Sequence, residues 1–182
     1  MASENAPSLR MGPTSYLVLG LIGLRGPSTP YDLKRAAARS VAYFWSFPHS
    51  QLYSEPDRLA EAGLLEIERE RGGRNRKVYD LTEAGHRALR AWLAAPPEEM
   101  PELRDTALLQ LFFGELTSRA ALVALAEQQG RLHRERLAIY EEIASHYAGR
   151  SDRRRRMAPL GIGFALEKAY IEFWKTIAAE ID

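Results

Sequence analysis

The chain has 182 residues, 46% of them hydrophobic and 27% charged, an ordinary balance for a globular protein that buries one substantial core or two small ones. It contains no cysteine, which excludes disulfides, thiolate metal sites and cysteine nucleophiles, and its apolar runs fall short of the ~20 residues of a membrane span. The net charge of +1 hides an asymmetry, because residues 1–95 carry 13 basic and 10 acidic side chains while residues 96–182 carry 12 and 14.

Residues 1–12 read as a flexible polar arm without the charged start and apolar middle of a secretion signal. A reducing cytoplasm suits this composition. A first helix is predicted from Pro13–Thr14, apolar nearly all round through Tyr16, Leu17, Leu19, Leu21 and Leu24, and ended by Arg25-Gly26-Pro27. Thr29-Pro30 opens a second, with threonine to cap, proline at the first helical position and Asp32 to complement the dipole.

A third helix is predicted from Phe47-Pro48. At 100° per residue, Leu52, Pro56, Leu59 and Ala60 share one side, while Ser50, Ser54, Arg58 and Glu61 share the other. Pro56 removes the donor that would reach the Leu52 carbonyl and disfavours helix at Glu55, so a bend or break is expected there. Gly63 ends the helix.

Leu64 to Glu70 alternates like a half-buried strand, Gly72-Gly73 permits reversal, and Val78 to Leu81 returns. Thr82 caps a fourth helix carrying Leu89, Trp92 and Leu93. Residues 96–102 are rich in proline and acid and read as a linker. Three further helices are predicted, near 103–113, 118–147 and 160–181. The long one places Leu122, Leu125, Leu132, Ile139 and Ile143 on a stripe, and Arg150 to Arg156 reads as an exposed turn. The last helix bears two adjacent apolar stripes, from which Leu160, Phe164, Tyr170, Ile171, Phe173, Trp174 and Ile177 are assigned to a homodimer interface.

The predicted fold is therefore mainly α with a small β-hairpin wing. A winged helix-turn-helix spans 13–95, and a helical dimerisation and effector domain spans 103–182. A polar helix face followed by a basic hairpin tip suits double-stranded DNA, since helices read groove edges and cations reach phosphates. His49, Ser50, Gln51, Tyr53 and Ser54 are the candidates on the recognition helix, with Arg58 one turn later for the backbone. Arg71, Arg74, Asn75, Arg76 and Lys77 form the candidate wing, an acid-free run of seven residues with four cations.

These motifs follow one another as they do in PadR-family transcriptional regulators, which the chain resembles along almost its full length. The resemblance rests on Gly26-Pro27, Pro30-Tyr31-Asp32-Leu33-Lys34-Arg35, Phe44-Trp45 and Ser50-Gln51-Leu52-Tyr53. It continues through Arg58-Leu59, Gly63-Leu64-Leu65, Arg76-Lys77-Val78-Tyr79, Leu81-Thr82-Glu83-Ala84-Gly85 and Trp92-Leu93. The helical tail resembles the longer branch of the family. The resemblance implies a dimeric repressor that reads a palindrome and is released by a small aromatic or drug-like ligand. It also implies a phosphate contact for Tyr31, for which core packing is the other reading.

Phe44, Trp45, Trp92, Phe112 and Phe113 supply aromatic surface for an effector, although aromatics at helical spacing also build cores. Nothing points to an enzyme, a cofactor or a metal. The four histidines lack zinc-ligand spacing, and there is no phosphate-cradling glycine loop or nucleophile elbow. A winged-helix module that grips another protein is the alternative from a different class, and it has no need of four cations at its tip.

Overall fold

The computed structural model describes residues 10–45, 47–48, 50–69, 76–149 and 154–181. The chain divides into two units, Met1–Met100 and Pro101–Asp182.

The first unit orders α1 (Pro13–Arg25), α2 (Pro30–Ala38), α3 (Gln51–Glu61), β1 (Leu65–Arg69), β2 (Lys77–Leu81) and α4 (Glu83–Ala94). Val18, Leu19 and Ile22 of α1 pack with Leu33 and Ala37 of α2, Leu52 and Leu59 of α3, and Leu65, Tyr79 and Leu81 of the hairpin. The helix starts are built from their sequences. Thr29 and Asp32 cap each other's backbone N–H at 3.2 Å in both directions. The Thr82 hydroxyl accepts from Gly85 N at 3.1 Å and donates to the Gly63 carbonyl at 2.7 Å. Gly63 follows α3 at φ +73°, a left-handed conformation that glycine adopts without steric cost.

β1 and β2 are antiparallel in the register Leu65↔Leu81, Ile67↔Tyr79 and Arg69↔Lys77. The intervening pairs, Glu66↔Asp80 and Glu68↔Val78, face the other way, because side chains alternate along a strand. Ser28, in the link between α1 and α2, extends the ladder by exchanging both backbone hydrogen bonds with Tyr79 at 3.0 Å.

Two expectations for α3 change. The helix begins at Gln51, and it runs unbroken through Pro56. Pro56 is buried with Leu52 and Leu59, so apolar packing of its ring offsets the one missing backbone bond.

The second unit orders α5 (Thr106–Phe112), a 3-10 turn (Gly114–Leu116), α6 (Arg119–His146) and α7 (Arg154–Ile181). Asp105 caps α5 and Ser118 caps α6 through their side chains. α7 begins before the expected 160 and absorbs Arg154 to Arg156 and Pro159, so that part of the arginine run is helix, not turn. Residues 150–153 lie outside the described residues.

α6 and α7 pack antiparallel, since Tyr140 meets Phe164, His133 meets Tyr170, and Ala126 clusters with Trp174. The side of α6 turned to α7 matches the predicted leucine stripe only in part, Leu125 packing on the cluster of Ala126 and Trp174. The rest of it is Ala126, Gly130, His133 and Tyr140, while Leu132 and Ile139 are 48% and 54% exposed. Small residues there let two helices approach closely. Gly163 serves the same end on α7, because a Cβ at that position would lie 2.8 Å from the Tyr140 ring.

Candidate nucleic-acid interface

Ser50, Gln51, Tyr53 and Ser54 are all exposed on the first turns of α3, as expected of groups that meet a groove. The terminal amide of Gln51 is partly engaged, its Oε1 accepting from the Thr14 hydroxyl at 2.8 Å. Tyr31 is also exposed, at the start of α2, and the Arg35 guanidinium sits 5.7 Å from its ring centroid. That placement disposes of core packing for Tyr31. His49, Arg71, Arg74 and Asn75 lie outside the described residues. Arg76 is exposed at the start of the returning arm.

Arg58 differs from its expected place among the backbone contacts. Its Nε and Nη2 grip both carboxylate oxygens of Glu55 at 2.9 and 2.5 Å, and Nη2 also donates to the buried Ser15 hydroxyl at 3.0 Å. Nη1 donates to the Arg10 carbonyl at 3.3 Å. The guanidinium therefore ties α3 to α1. Burial pushes the Glu55 carboxyl up, but the hydrogen bonds from Arg58 and Ser15 outweigh it and hold its pKa below the ordinary value.

Lys77 is committed as well. Its Nζ lies 2.6 Å from Asp57 Oδ1, and that same oxygen accepts from the Tyr79 hydroxyl at 2.8 Å. The Lys77 hydrogen bond holds the Asp57 carboxyl low against the effect of burial, with Tyr79 adding to it. The Tyr79 phenol is pushed up by burial and by Asp57. Asp57 was absent from the sequence-based site. The 100° period could have found it, since Asp57 stands at 340° from Ser50, at the edge of the outer face of α3. Arg69 was missed for a different reason. Only the register places it opposite Lys77, on the hairpin face turned to α3.

The remaining assigned residues divide by unit. In the first, Phe44 sits edge-on to Tyr43 at 4.8 Å, Trp45 is part-exposed, and Trp92 stacks on Tyr16 at 4.6 Å. In the second, Phe112 and Phe113 are exposed and meet edge-to-face at 5.1 Å. The interface assignment for α7 needs correcting at Leu160 and Trp174. Both are buried within the single chain, Trp174 completely, because they face α6. Tyr170 and Ile177 are partly buried against the same cluster, and Phe164 and Ile171 are half-buried. Phe173 stays exposed, together with Ile162 and Leu166 on the same stripe. No group of three metal-ligating side chains occurs among the described residues.

The Transcriptional regulator PadR-like family matches residues 18–91, and the Virulence activator alpha C-term family matches residues 103–182. The negative transcriptional regulator PadR of Bacillus subtilis (strain 168) is 26% identical over 176 residues, 92% of this chain and 96% of that protein. Its crystal structure in complex with operator DNA superposes with a TM-score of 0.84 at 25% identity, covering 93% of this chain and 99% of that one. Its complex with p-coumaric acid gives 0.75 at 24% identity, covering 95% and 99%. The Vibrio cholerae virulence activator AphA gives 0.70 at 27% identity, covering 92% and 96%.

Proposed function

Because this chain belongs to the PadR-like family of transcriptional regulators, which are DNA-binding proteins and not enzymes, we propose that it is a homodimeric repressor of a palindromic operator. The reading is carried by the exposure of Ser50, Gln51, Tyr53 and Ser54 at the start of α3, on the same helix that Lys77 of the basic hairpin reaches through Asp57. The helix offers Ser50, Gln51, Tyr53 and Ser54 to base edges, and the wing offers Arg71, Arg74, Asn75 and Arg76 to phosphates or the minor groove. His49 joins the helix set and Tyr31 the phosphate set.

A face left open on the second unit supports the dimer. Leu132 and Ile139 on α6 lie about a third of a turn, and Ile162, Leu166 and Phe173 on α7 about a quarter turn, to the same rotational side of their helix's inner face. In an antiparallel pair that puts both stripes on one side of the hairpin. Exposed apolar surface of this extent marks an association site, and two copies meeting there would carry two winged helices to half-sites about one helical turn, ~10 bp, apart.

Release by a small aromatic acid is the effector reading. The Bacillus relative's complex with p-coumaric acid supports it, and so do the exposed aromatics Phe44, Trp45 and Trp92 on one unit and Phe112 and Phe113 on the other. Footprinting of the DNA upstream of the chain's own gene tests the whole. A protected inverted repeat, lost on adding a phenolic acid, is expected. Absence of any protected repeat refutes operator binding, and a footprint indifferent to a panel of phenolic acids and planar dyes refutes the effector.

A further inference from the structure

Asp57 is an acid at the hairpin-side edge of the polar face of α3, one turn beyond Ser54. An uncompensated carboxylate there repels phosphates. It is compensated by a cation of the wing, since Lys77 Nζ sits 2.6 Å from Oδ1. The two side chains are 41% and 42% exposed, and a pair so open to water adds little to folding stability. Its effect falls on the electrostatics and geometry of the surface. Lys77 is spent on Asp57, and the Tyr79 hydroxyl on the same oxygen at 2.8 Å fixes the carboxylate between helix and strand.

We infer that Asp57 is a specificity-determining residue: by holding Lys77 to α3 it keeps one wing cation off DNA phosphates and so restrains binding to non-operator DNA. The inference rests on the DNA-binding reading of α3 and the wing. On operator DNA, base contacts fix the helix in the groove, and a tethered Lys77 has only the phosphates of that register within reach. On other DNA no register is imposed. A freed lysine there lets the protein shift along the backbone until a phosphate is found, and the sequence-independent term grows. Releasing Lys77 therefore helps the wrong sites more than the right one.

The test uses the full chain with Asp57→Asn, which keeps an acceptor for Tyr79 and removes the charge that holds Lys77. Binding to a random-sequence duplex and to the footprinted repeat is followed by anisotropy between about 50 and 200 mM salt. The random duplex should bind roughly threefold more tightly at the low-salt end, its log–log salt slope should steepen by about 0.9, one further phosphate, and operator discrimination should fall. Adding Lys77→Ala to Asp57→Asn should return the slope to that of the parent. Lys77→Ala alone strips Asp57 of its counter-charge and should weaken binding to both duplexes by a similar factor. An unchanged slope and ratio in Asp57→Asn, or a steeper slope that survives in the double variant, would each overturn the inference. A parent protein with no salt-dependent binding to either duplex refutes the DNA surface itself, a result separable from the other two.

Discussion

Arg58 Nη2 and Ser15 Oγ are hydrogen-bonded at 3.0 Å across 43 residues of sequence, and the hydroxyl is 1% exposed. The bond joins α3 to α1, the helix with the most buried side chains of its unit. Arg58→Ala removes this partner from Glu55 and Ser15, which keep each other and, for Ser15, the Gly12 N–H, and a buried group left short of a hydrogen bond costs on the order of 1–3 kcal/mol. The part-exposure of the guanidinium argues for the lower half of that range. A lowered midpoint in urea with an unchanged m-value is the expected result. A variant as stable as the parent but weaker on DNA would return Arg58 to the phosphate contacts.

Acid should loosen the first unit. Thr29 hydrogen bonding holds Asp32 low, the Lys77 bond holds Asp57 low, and for Glu55 the bonds from Arg58 and Ser15 overcome burial. Each folded pKa lies below its unfolded counterpart, so stability is complete above the ordinary values of 3.8 for the aspartates and 4.5 for Glu55 and is lost as pH falls through the folded values. Thermal melts by circular dichroism should stay level down to about pH 5 and then fall. A melting temperature level to about pH 2.5 would contradict the Thr29–Asp32 and Arg58–Glu55 pairings, the open Asp57–Lys77 pair contributing little.

Gly85→Ala should be strongly destabilising. A Cβ there would lie 2.1 Å from the Leu64 carbonyl oxygen, and that oxygen accepts from Thr82 N at 3.2 Å, so it cannot withdraw without breaking a bond. The cost is expected at the upper end of the ~1–3 kcal/mol typical of overpacking. Chemical denaturation measures it, and a loss under about 0.5 kcal/mol would mean that the start of α4 shifts freely.

The helix and the wing should fail differently on DNA. Replacing Gln51 or Ser50 by alanine should relax preference at one operator position by about 1–3 kcal/mol. Arg74→Ala with Arg76→Ala should instead weaken binding on all sequences and flatten the salt slope by roughly 2 × 0.9. Gel shifts on the operator and its single-base variants separate the two patterns. Operator binding untouched by either set would refute the groove assignment.

Two aromatic neighbours on α7 should likewise separate assembly from folding. Phe173→Glu places a charge on the open stripe and should yield folded monomers by sedimentation. Trp174→Ala empties a fully buried site and should cost about 3–5 kcal/mol. A dimeric Phe173→Glu protein would move the interface elsewhere.

Much of the first unit was legible because its signals are local. Thr29-Pro30 and Thr82 are caps, Gly63 is a stop, and the strands show a period of two. The second unit was less so. A leucine stripe and a small-residue stripe both satisfy a helical period, and only the packing of α6 on α7 reveals that Ala126 and Gly130 face inward while Leu132 and Ile139 do not. Polar pairings were the least legible. Arg58 with Glu55 is three residues apart and could have been anticipated, but Lys77 with Asp57 and Arg58 with Ser15 join positions that the chain brings together only on folding. Pro56 was placed on the right side of α3, and it misled only because the missing backbone bond was weighed above the packing of its ring.

The register of the hairpin also bears on how fast DNA is found. Glu66, Glu68 and Asp80 lie on one face of the two strands, and Arg69 and Lys77 lie on the other. Near a polyanion the acidic face should be pushed away, and with Lys77 neutralised by Asp57 the pull on the opposite face falls to Arg69, which leaves a modest torque. Encounters that begin with the wing reversed are turned or rejected before contact, over distances of about a Debye length. The hairpin thus narrows the rotational search that usually slows docking, and raising salt should reduce the association rate before it affects the lifetime of the bound complex.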